Sequence, residues 1–206
     1  ETWRLMGNIY LSIKPIKNLI FKTTFSPNYT YYRDGQYQGT LTGESINSAT
    51  KATDREFSWT WENTLTYDKI FNKIHHINVM GMMSMEKSNT ETESLNYTGV
   101  LDGTTWYNLG SGTYNANGSA PSSYTEYRML SYAMRANYTL SNRYMATATI
   151  RWDGSSRFRE GKKWGSFPSF ALAWRISEEN FIKNNTPWIS NLKLRLSYGQ
   201  TGNNTG

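Results

Sequence analysis

The feature that most constrains this chain is an alternation of apolar and polar residues with a period of two, repeated from one end to the other. Phe57, Trp59, Trp61, Leu65 and Tyr67 are interleaved with Ser58, Thr60, Glu62, Thr64 and Thr66. Successive side chains of a β-strand point to opposite faces, so this spacing predicts a strand with one apolar and one polar face. An amphipathic helix would repeat every three to four residues instead.

The same pattern places Ile9, Leu11 and Ile13 opposite Tyr10, Ser12 and Lys14, and Phe21, Thr23, Phe25 and Tyr29 opposite Lys22, Thr24, Ser26 and Asn28. It returns over His76 to Glu86, where Met80 and Met82 make the polar face impure. It returns again at Leu130 to Leu140, at Tyr144 to Trp152, at Phe170 to Ile176 and at Leu192 to Tyr198. The expected fold class is all-β, an antiparallel meander of about eight strands.

Between the runs, Lys14–Lys17 reads as a tight break, and so does the stretch from Asp68 to Asn72. Ser141-Asn142-Arg143 reads as a turn. Residues 33–53, 87–125 and 153–165 are polar and glycine-bearing and read as loops. Ser177 to Lys183 reads as one or two helical turns with Ser177 as N-cap. Pro168 lacks an N–H donor and belongs near a strand start or at a bulge. Connections are expected to be short after the first, third, fifth and seventh strands and long after the others.

That asymmetry is the pattern of a membrane-spanning meander, which has short turns at one end and long loops at the other. Nearly every charge inside a run also falls on the polar face: Lys14, Lys22, Glu62, Arg135, Arg151, Arg175, Lys193 and Arg195. Arg128 departs from the phase, at the mouth of its strand. A lipid-facing Arg or Lys at mid-membrane costs roughly 2–4 kcal/mol, so a barrel requires such segregation. A soluble β-sandwich also gathers charge on its wet face but does not explain the loop asymmetry. Tyr144 and Trp152 end one apolar row. At about 3.3 Å per residue and a tilt of about 40° they stand roughly 20 Å apart in height, near the spacing of interfacial aromatic girdles.

Composition agrees with this reading. The chain has 206 residues, a net charge of +6, no cysteine, 15 Tyr and 8 Trp, and a mean hydropathy of −0.67. No apolar run of about 18 residues exists, which excludes a helical membrane protein but not a barrel. Without cysteine there is neither a disulfide framework nor a thiolate metal site. The sequence opens at Glu1-Thr-Trp-Arg without a basic-then-apolar secretory segment, as though in the middle of a longer chain.

Few residues suggest chemistry. His75 and His76 are adjacent on a strand and point to opposite faces, which favours strand-end roles over a metal site. Asp153 and Glu160 flank a glycine-serine loop, but no nucleophile–base constellation accompanies them, so no enzyme activity is expected. Ser155 and Ser156 are expected to satisfy backbone groups around Asp153-Gly154. The most local positive charge is Arg157, Arg159, Lys162 and Lys163, for which weak contact with lipopolysaccharide or lipid phosphate is expected, with simple solvation as the alternative. Base-reading elements are missing, so nucleic acid is not an expected partner. Trp106, Tyr107, Tyr114, Tyr124 and Tyr127 lie in or beside the longest loop. They either stack on a ligand or a lid, or fold the loop on itself.

Several linked motifs carry a family resemblance: Arg151-Trp-Asp-Gly-Ser-Ser-Arg-Phe158, Phe167-Pro-Ser169, Ala173-Trp-Arg-Ile-Ser-Glu-Glu-Asn-Phe181 and Leu192-Lys-Leu-Arg-Leu-Ser-Tyr-Gly-Gln-Thr-Gly-Asn203. With Trp61-Glu-Asn-Thr-Leu-Thr-Tyr67, His75-His-Ile-Asn78 and Arg135-Ala-Asn-Tyr138, the chain resembles the barrel of SusC/RagA-type TonB-linked outer-membrane transporters. The resemblance implies that residues 1–206 are part of a larger transmembrane β-barrel of about 22 strands with a plugged lumen. It also implies a place in the outer membrane of a Bacteroidetes-type bacterium, import of glycans or peptides, a SusD-like surface lipoprotein partner, TonB as energy source, and no cofactor. Plug, TonB-contacting segment and C-terminal strand are not expected within these residues. A passive porin and a soluble β-rich carbohydrate-binding module are the other functions compatible with the strand pattern.

Overall fold

The computed structural model describes residues 1–43, 45–115, 122–161, 163–186 and 188–202. They form a single ten-stranded sheet. In chain order the strands are β1 (Thr2–Met6), β2 (Ile9–Ile16), β3 (Leu19–Gln38), β4 (Ser48–Phe71), β5 (His75–Thr98), β6 (Thr113–Tyr114), β7 (Ser122–Leu140), β8 (Tyr144–Ser155), β9 (Trp164–Arg175) and β10 (Lys193–Gly199). One short helix, α1 (Asn180–Asn185), lies between β9 and β10. The spatial order is β1-β3-β4-β5-β7-β8-β9-β10, with β2 also on β3 and β6 on β5. Neighbours in sequence are therefore neighbours in space, and the sheet is open rather than closed on itself.

Local chemistry explains the breaks. The expected first strand divides at Gly7-Asn8 because it faces Pro27, which has no N–H to give; the Pro27 carbonyl accepts from Gly7 N at 3.0 Å. Two hairpins turn through paired left-handed residues, Asn72 (φ 47) with Lys73 (φ 62) and Ser141 (φ 49) with Asn142 (φ 57). Their backbones close by Ile74 N→Phe71 O at 3.2 Å and Arg143 N→Leu140 O at 2.9 Å. Two consecutive positive φ values make the type I′ turn, whose twist matches that of the strands it joins. The turn after β2 is Lys17-Asn18, with Asn18 at φ 69, so Lys14 to Ile16 belong to the strand. Pro168 sits inside β9 opposite Ile150. Its carbonyl accepts from Gln200 N at 3.0 Å, just past the last β9–β10 pair, Ser169↔Gly199. The donor it lacks therefore faces the frayed end of that ladder.

Three expectations are corrected. The strands are longer than the alternation predicts: β3 runs on to Gln38, β4 begins at Ser48, β5 continues to Thr98 and β7 begins at Ser122. Much of what reads as loop is polar strand. The connection after β9 is not short, since residues 176–192 hold a 3-10 turn (Ile176–Glu178) and α1. Ser177 does not cap a helix: it is buried within the 3-10 turn, and Glu179 takes the N-cap position of α1 without a side-chain cap bond. Ser177 N is already committed to Leu192 O at 3.1 Å, which closes the base of the connection.

The chain forms two compact units. One comprises Glu1–Asn8, Ser26–Trp59 and Lys87–Tyr127, and the other Ile9–Phe25, Thr60–Glu86 and Arg128–Gly206. In the second, one sheet face carries the apolar rows. Tyr144, Ala146, Ala148, Ile150 and Trp152 of β8 lie opposite Tyr138, Ala136, Met134 and Tyr132 of β7 on one side, and opposite Trp174, Leu172 and Phe170 of β9 on the other. Among the described residues nothing covers these rows: Met134 is 52 % exposed and Leu172 43 %. Among the described residues the buried hydrophobics are Ala49 and Val100 alone, both in the first unit. Among the described residues there is therefore no sandwich core, and a large apolar surface is exposed.

Candidate functional site

The polar face of the second unit is a connected hydrogen-bond ladder. Asn78 of β5 donates to the Asp68 carboxylate of β4 at 2.8 Å, and His76 Nε2 lies 3.1 Å from the same group. Asn137 of β7 donates to Asn78 Oδ1 at 3.2 Å, and Thr147 of β8 donates to Asn137 Oδ1 at 2.9 Å. Further along, Arg151 Nε bonds both Asp153 carboxylate oxygens at 2.7 and 2.9 Å, and its Nη2 donates to buried Ser131 at 3.1 Å. Asp153 is thus an ion-pair partner of Arg151. His75 turns to the other face and hydrogen-bonds Tyr138 Oη at 2.7 Å, so the two histidines serve different faces. Among the described residues no three His, Asp or Glu side chains gather to hold a metal ion.

The first unit holds the loop aromatics. Trp106 lies over Gly35 and stacks under the Arg33 guanidinium, 4.5 Å from ring centroid to Cζ. Asp102, in the same connection, accepts from Tyr37 Oη at 3.4 Å. Desolvation pushes the Tyr37 phenol up, and the neighbouring Asp102 charge adds to the shift. Residues 99–112 are therefore strapped to β3. Tyr107 meets Trp106 edge-on and remains 70 % exposed. Tyr114 packs edge-on against Tyr97 at 5.6 Å, where β6 pairs with β5.

Tyr124 is exposed and donates to Glu126 Oε2 at 3.1 Å, a bond that pushes its phenol up. Glu126 also pairs with Lys87 at 3.0 Å. Tyr124 lines a cleft of about 390 Å³ with Arg55, Glu91, Glu93, Thr53 and Ser122. A guanidinium, two carboxylates, hydroxyls and an exposed tyrosine ring give this cleft a polar lining. Glu91 and Glu93 give no sign in the sequence because they lie in a stretch that reads as loop, and Arg55 falls between the 33–53 loop reading and the apolar run that starts at Phe57. Tyr127, half-buried, is not among the cleft residues.

In the basic connection between β8 and β9 the serines do bond backbone groups, but Asp153-Gly154 continues β8 and makes no turn. Arg157 N donates to Ser155 Oγ at 3.2 Å, and Arg128 N to Ser156 Oγ at 3.0 Å. Arg159 and Lys163 are exposed, and Lys162 lies outside the described residues. Beside them, Trp164 stacks on Tyr132 at 6.0 Å and covers Gly154, forming the aromatic end of the apolar rows.

At the opposite end stands a group that sequence reasoning missed. Glu179 accepts from Tyr144 Oη at 2.6 Å, Trp174 Nε1 at 3.0 Å and Arg143 Nη1 at 3.2 Å. The bond from Tyr144, then that from Trp174, holds this carboxyl below the usual range. Only Trp174, five residues before Glu179, is local; the other two donors, Arg143 and Tyr144, come from the β7–β8 hairpin.

The family profile described as "TonB dependent receptor-like, beta-barrel" matches residues 3–206. The TonB-dependent receptor P39 of Formosa agariphila is 35 % identical over 204 residues, which is 94 % of this chain and 19 % of that protein. The TonB-dependent receptor SusC of Bacteroides thetaiotaomicron is 55 % identical over 78 residues, covering 38 % of this chain and 8 % of SusC. The chain therefore spans about a fifth or less of the length of these curated relatives. Among solved structures, that of the RagAB peptide transporter superposes with a TM-score of 0.88 at 24 % identity, over 98 % of this chain and 23 % of that one. At that identity the likeness is one of fold.

Proposed function

The chain belongs to the TonB-dependent receptor-like β-barrel family, and from that premise we propose that it is a section of the barrel wall of an outer-membrane transporter. The apolar rows face lipid, and the polar ladder from Asp68 to Thr147 faces the lumen. The parent protein imports a glycan or peptide through the outer membrane, drawing energy from TonB through segments outside these residues. The wall positions and binds; it performs no chemistry. A SusD-like lipoprotein covers the long-connection end, where Tyr107 and Tyr124 are open to a lid or ligand and Arg55, Glu91 and Glu93 supply polar contacts.

One observation carries this reading. An apolar face as large as that of β8, β9 and β10 is left uncovered by the described residues, while its charges are confined to the other face. Lipid supplies the missing cover without needing a second protein layer.

The test uses the full-length protein in its host. The expected result is recovery in the outer-membrane fraction with heat-modifiable electrophoretic mobility, and loss of TonB-dependent uptake of a glycan or peptide on deletion of the gene. Recovery in a soluble fraction, with cooperative unfolding in the absence of detergent, would overturn the proposal.

A further inference from the structure

The connection 176–192 is held in an unusual way for a link between two strands. Its Glu179 carboxylate, 12 % exposed, is engaged by donors from three places: Arg143 in the β7–β8 turn, Tyr144 at the start of β8 and Trp174 near the end of β9. Tyr144 and Trp174 are the terminal members of the apolar rows and stack at 6.4 Å with an interplanar angle of 16°. Beyond this clamp the connection exposes large apolar side chains, Phe181 at 54 % and Trp188 at 80 %. Beside the clamp the same face opens an apolar groove of about 370 Å³ lined by Tyr144, Leu172, Trp174, Leu194 and Leu196.

A connection that only joined two strands in water would gain nothing from two exposed aromatics. Nor would it need a buried carboxylate to fix its exit beside a stacked Tyr–Trp pair. These features fit the boundary of a bilayer. Tyr and Trp settle where one end of the ring is apolar and the other wet, and short amphipathic segments lie in the headgroup region with their apolar side chains inserted.

We propose that the 176–192 connection is an interfacial membrane anchor, lying against the phospholipid leaflet at the short-turn end. Phe181 and Trp188 enter the headgroup–acyl boundary, Glu179 is the positioning residue, and the groove beside Trp174 receives an acyl chain. The occupant is lipid because the groove is apolar and the anchor continues the rows that face lipid, so the inference rests on that reading of the rows.

These residues hold no cysteine, so A148C, N142C and W188C, each made in the full-length protein with any cysteine outside these residues replaced by serine, can carry an environment-sensitive fluorophore. The protein is reconstituted in phosphatidylcholine vesicles with lipids spin-labelled either near the headgroup or near the chain end. The label at 188 is expected to be quenched by the headgroup probe and the label at 142 far less. Quenching at 188 should be lost in E179A and retained in E179Q, which keeps two of the three acceptor bonds. Position 148, in the middle of a row, should respond to the chain-end probe. An unquenched label at 148 would overturn the lipid-facing reading itself. Quenching at 148 but none at 188 beyond that at 142 would overturn the anchor alone, including an arrangement in which another protein segment covers Trp188. That comparison needs no Glu179 variant, so it stands even where E179A fails to fold.

Discussion

Trp106 rests on Gly35 so closely that a Cβ at position 35 would enter the indole ring. With Arg33 stacked on the ring and Asp102 bonded to Tyr37, this contact ties residues 99–112 to β3. G35A should therefore release the strap. Overpacking of this kind costs about 1–3 kcal/mol, and lifting the loop is the cheapest relief. Chymotryptic cleavage after Trp106 and Tyr107 in the solubilised full-length protein should accelerate in G35A. In a W106A background, where Tyr107 and Leu109 still report cleavage, G35A should add nothing, because the clash is gone. An unchanged cleavage rate in the single variant would show that the strap does not depend on this contact.

The two faces of β8 give a sharper contrast. Ala148 lies in the apolar row opposite Ala136 and Phe170, and Thr147 points to the polar ladder through Asn137. Arg at 148 would meet lipid at mid-span, at roughly 2–4 kcal/mol for such a charge. Arg at 147 loses one hydrogen bond, a net of about 0.5–1.5 kcal/mol, and keeps its charge wet. Urea titration of full-length protein folded into vesicles should rank A148R as clearly the less stable. Equal destabilisation would mean that the face assigned to lipid is not in lipid.

The apolar rows were legible because lipid or core on one face and water on the other imprint a period of two. Where both faces carry polar side chains the imprint disappears. Residues 48–53, Ser-Ala-Thr-Lys-Ala-Thr, are strand, yet their composition reads as loop, as does Lys87 to Thr98. The same blindness hid Glu91 and Glu93 of the cleft. Trp106 and Tyr124 were singled out together as loop aromatics, but their separation into a packed anchor and an exposed ring depends on Gly35 and Glu126. Glu179 was hidden for a third reason: its partners Arg143 and Tyr144 lie some 35 residues away.

The open aromatics and the packed one should differ in function. Y107A and Y124A remove exposed rings, and loss of a stacked aromatic contact costs roughly 1–3 kcal/mol of binding. If the long-connection end meets the ligand or the lipoprotein lid, at least one of the two should weaken that affinity by about tenfold or more while leaving folding intact. Affinities of both variants matching the parent, measured by calorimetry on the full-length protein, would restrict these rings to folding their own loop.

The basic loop offers an independent test. Arg157, Arg159 and Lys163 lead into Trp164, which stacks on Tyr132, and if the apolar rows face lipid that stack stands at the girdle, within reach of headgroup phosphates. K162A/K163A, and R159A separately, should reduce co-purifying lipopolysaccharide, and the reduction should shrink as salt is raised, since exposed charges are screened within about 8–10 Å at physiological ionic strength. Unchanged lipopolysaccharide content in both variants would leave the loop's charge to solvation.

Acid should unlock the connection held by Glu179. Its carboxyl is held below its ordinary value in the folded protein, chiefly by the bond from Tyr144. A carboxyl lowered on folding adds stability that is fully present above its unfolded pKa, about 4.3 for Glu. That stability is lost as pH falls through the lower folded value. Clamping of 176–192, read as exchange protection of the amides at Ile182 and Lys183, should therefore be constant from neutral pH to about 5 and decline below it. In E179Q the protection should start lower and lose this acid dependence, because the amide does not titrate. The two amides report on the clamp through the backbone: both N–H groups bond the Glu179 main-chain carbonyl, at 3.0 Å each, and the carboxylate of the same residue fixes where that carbonyl sits. A wild-type profile that stays flat through the carboxylate range would place the fixing of the connection elsewhere, with Ser177 N→Leu192 O the remaining tie.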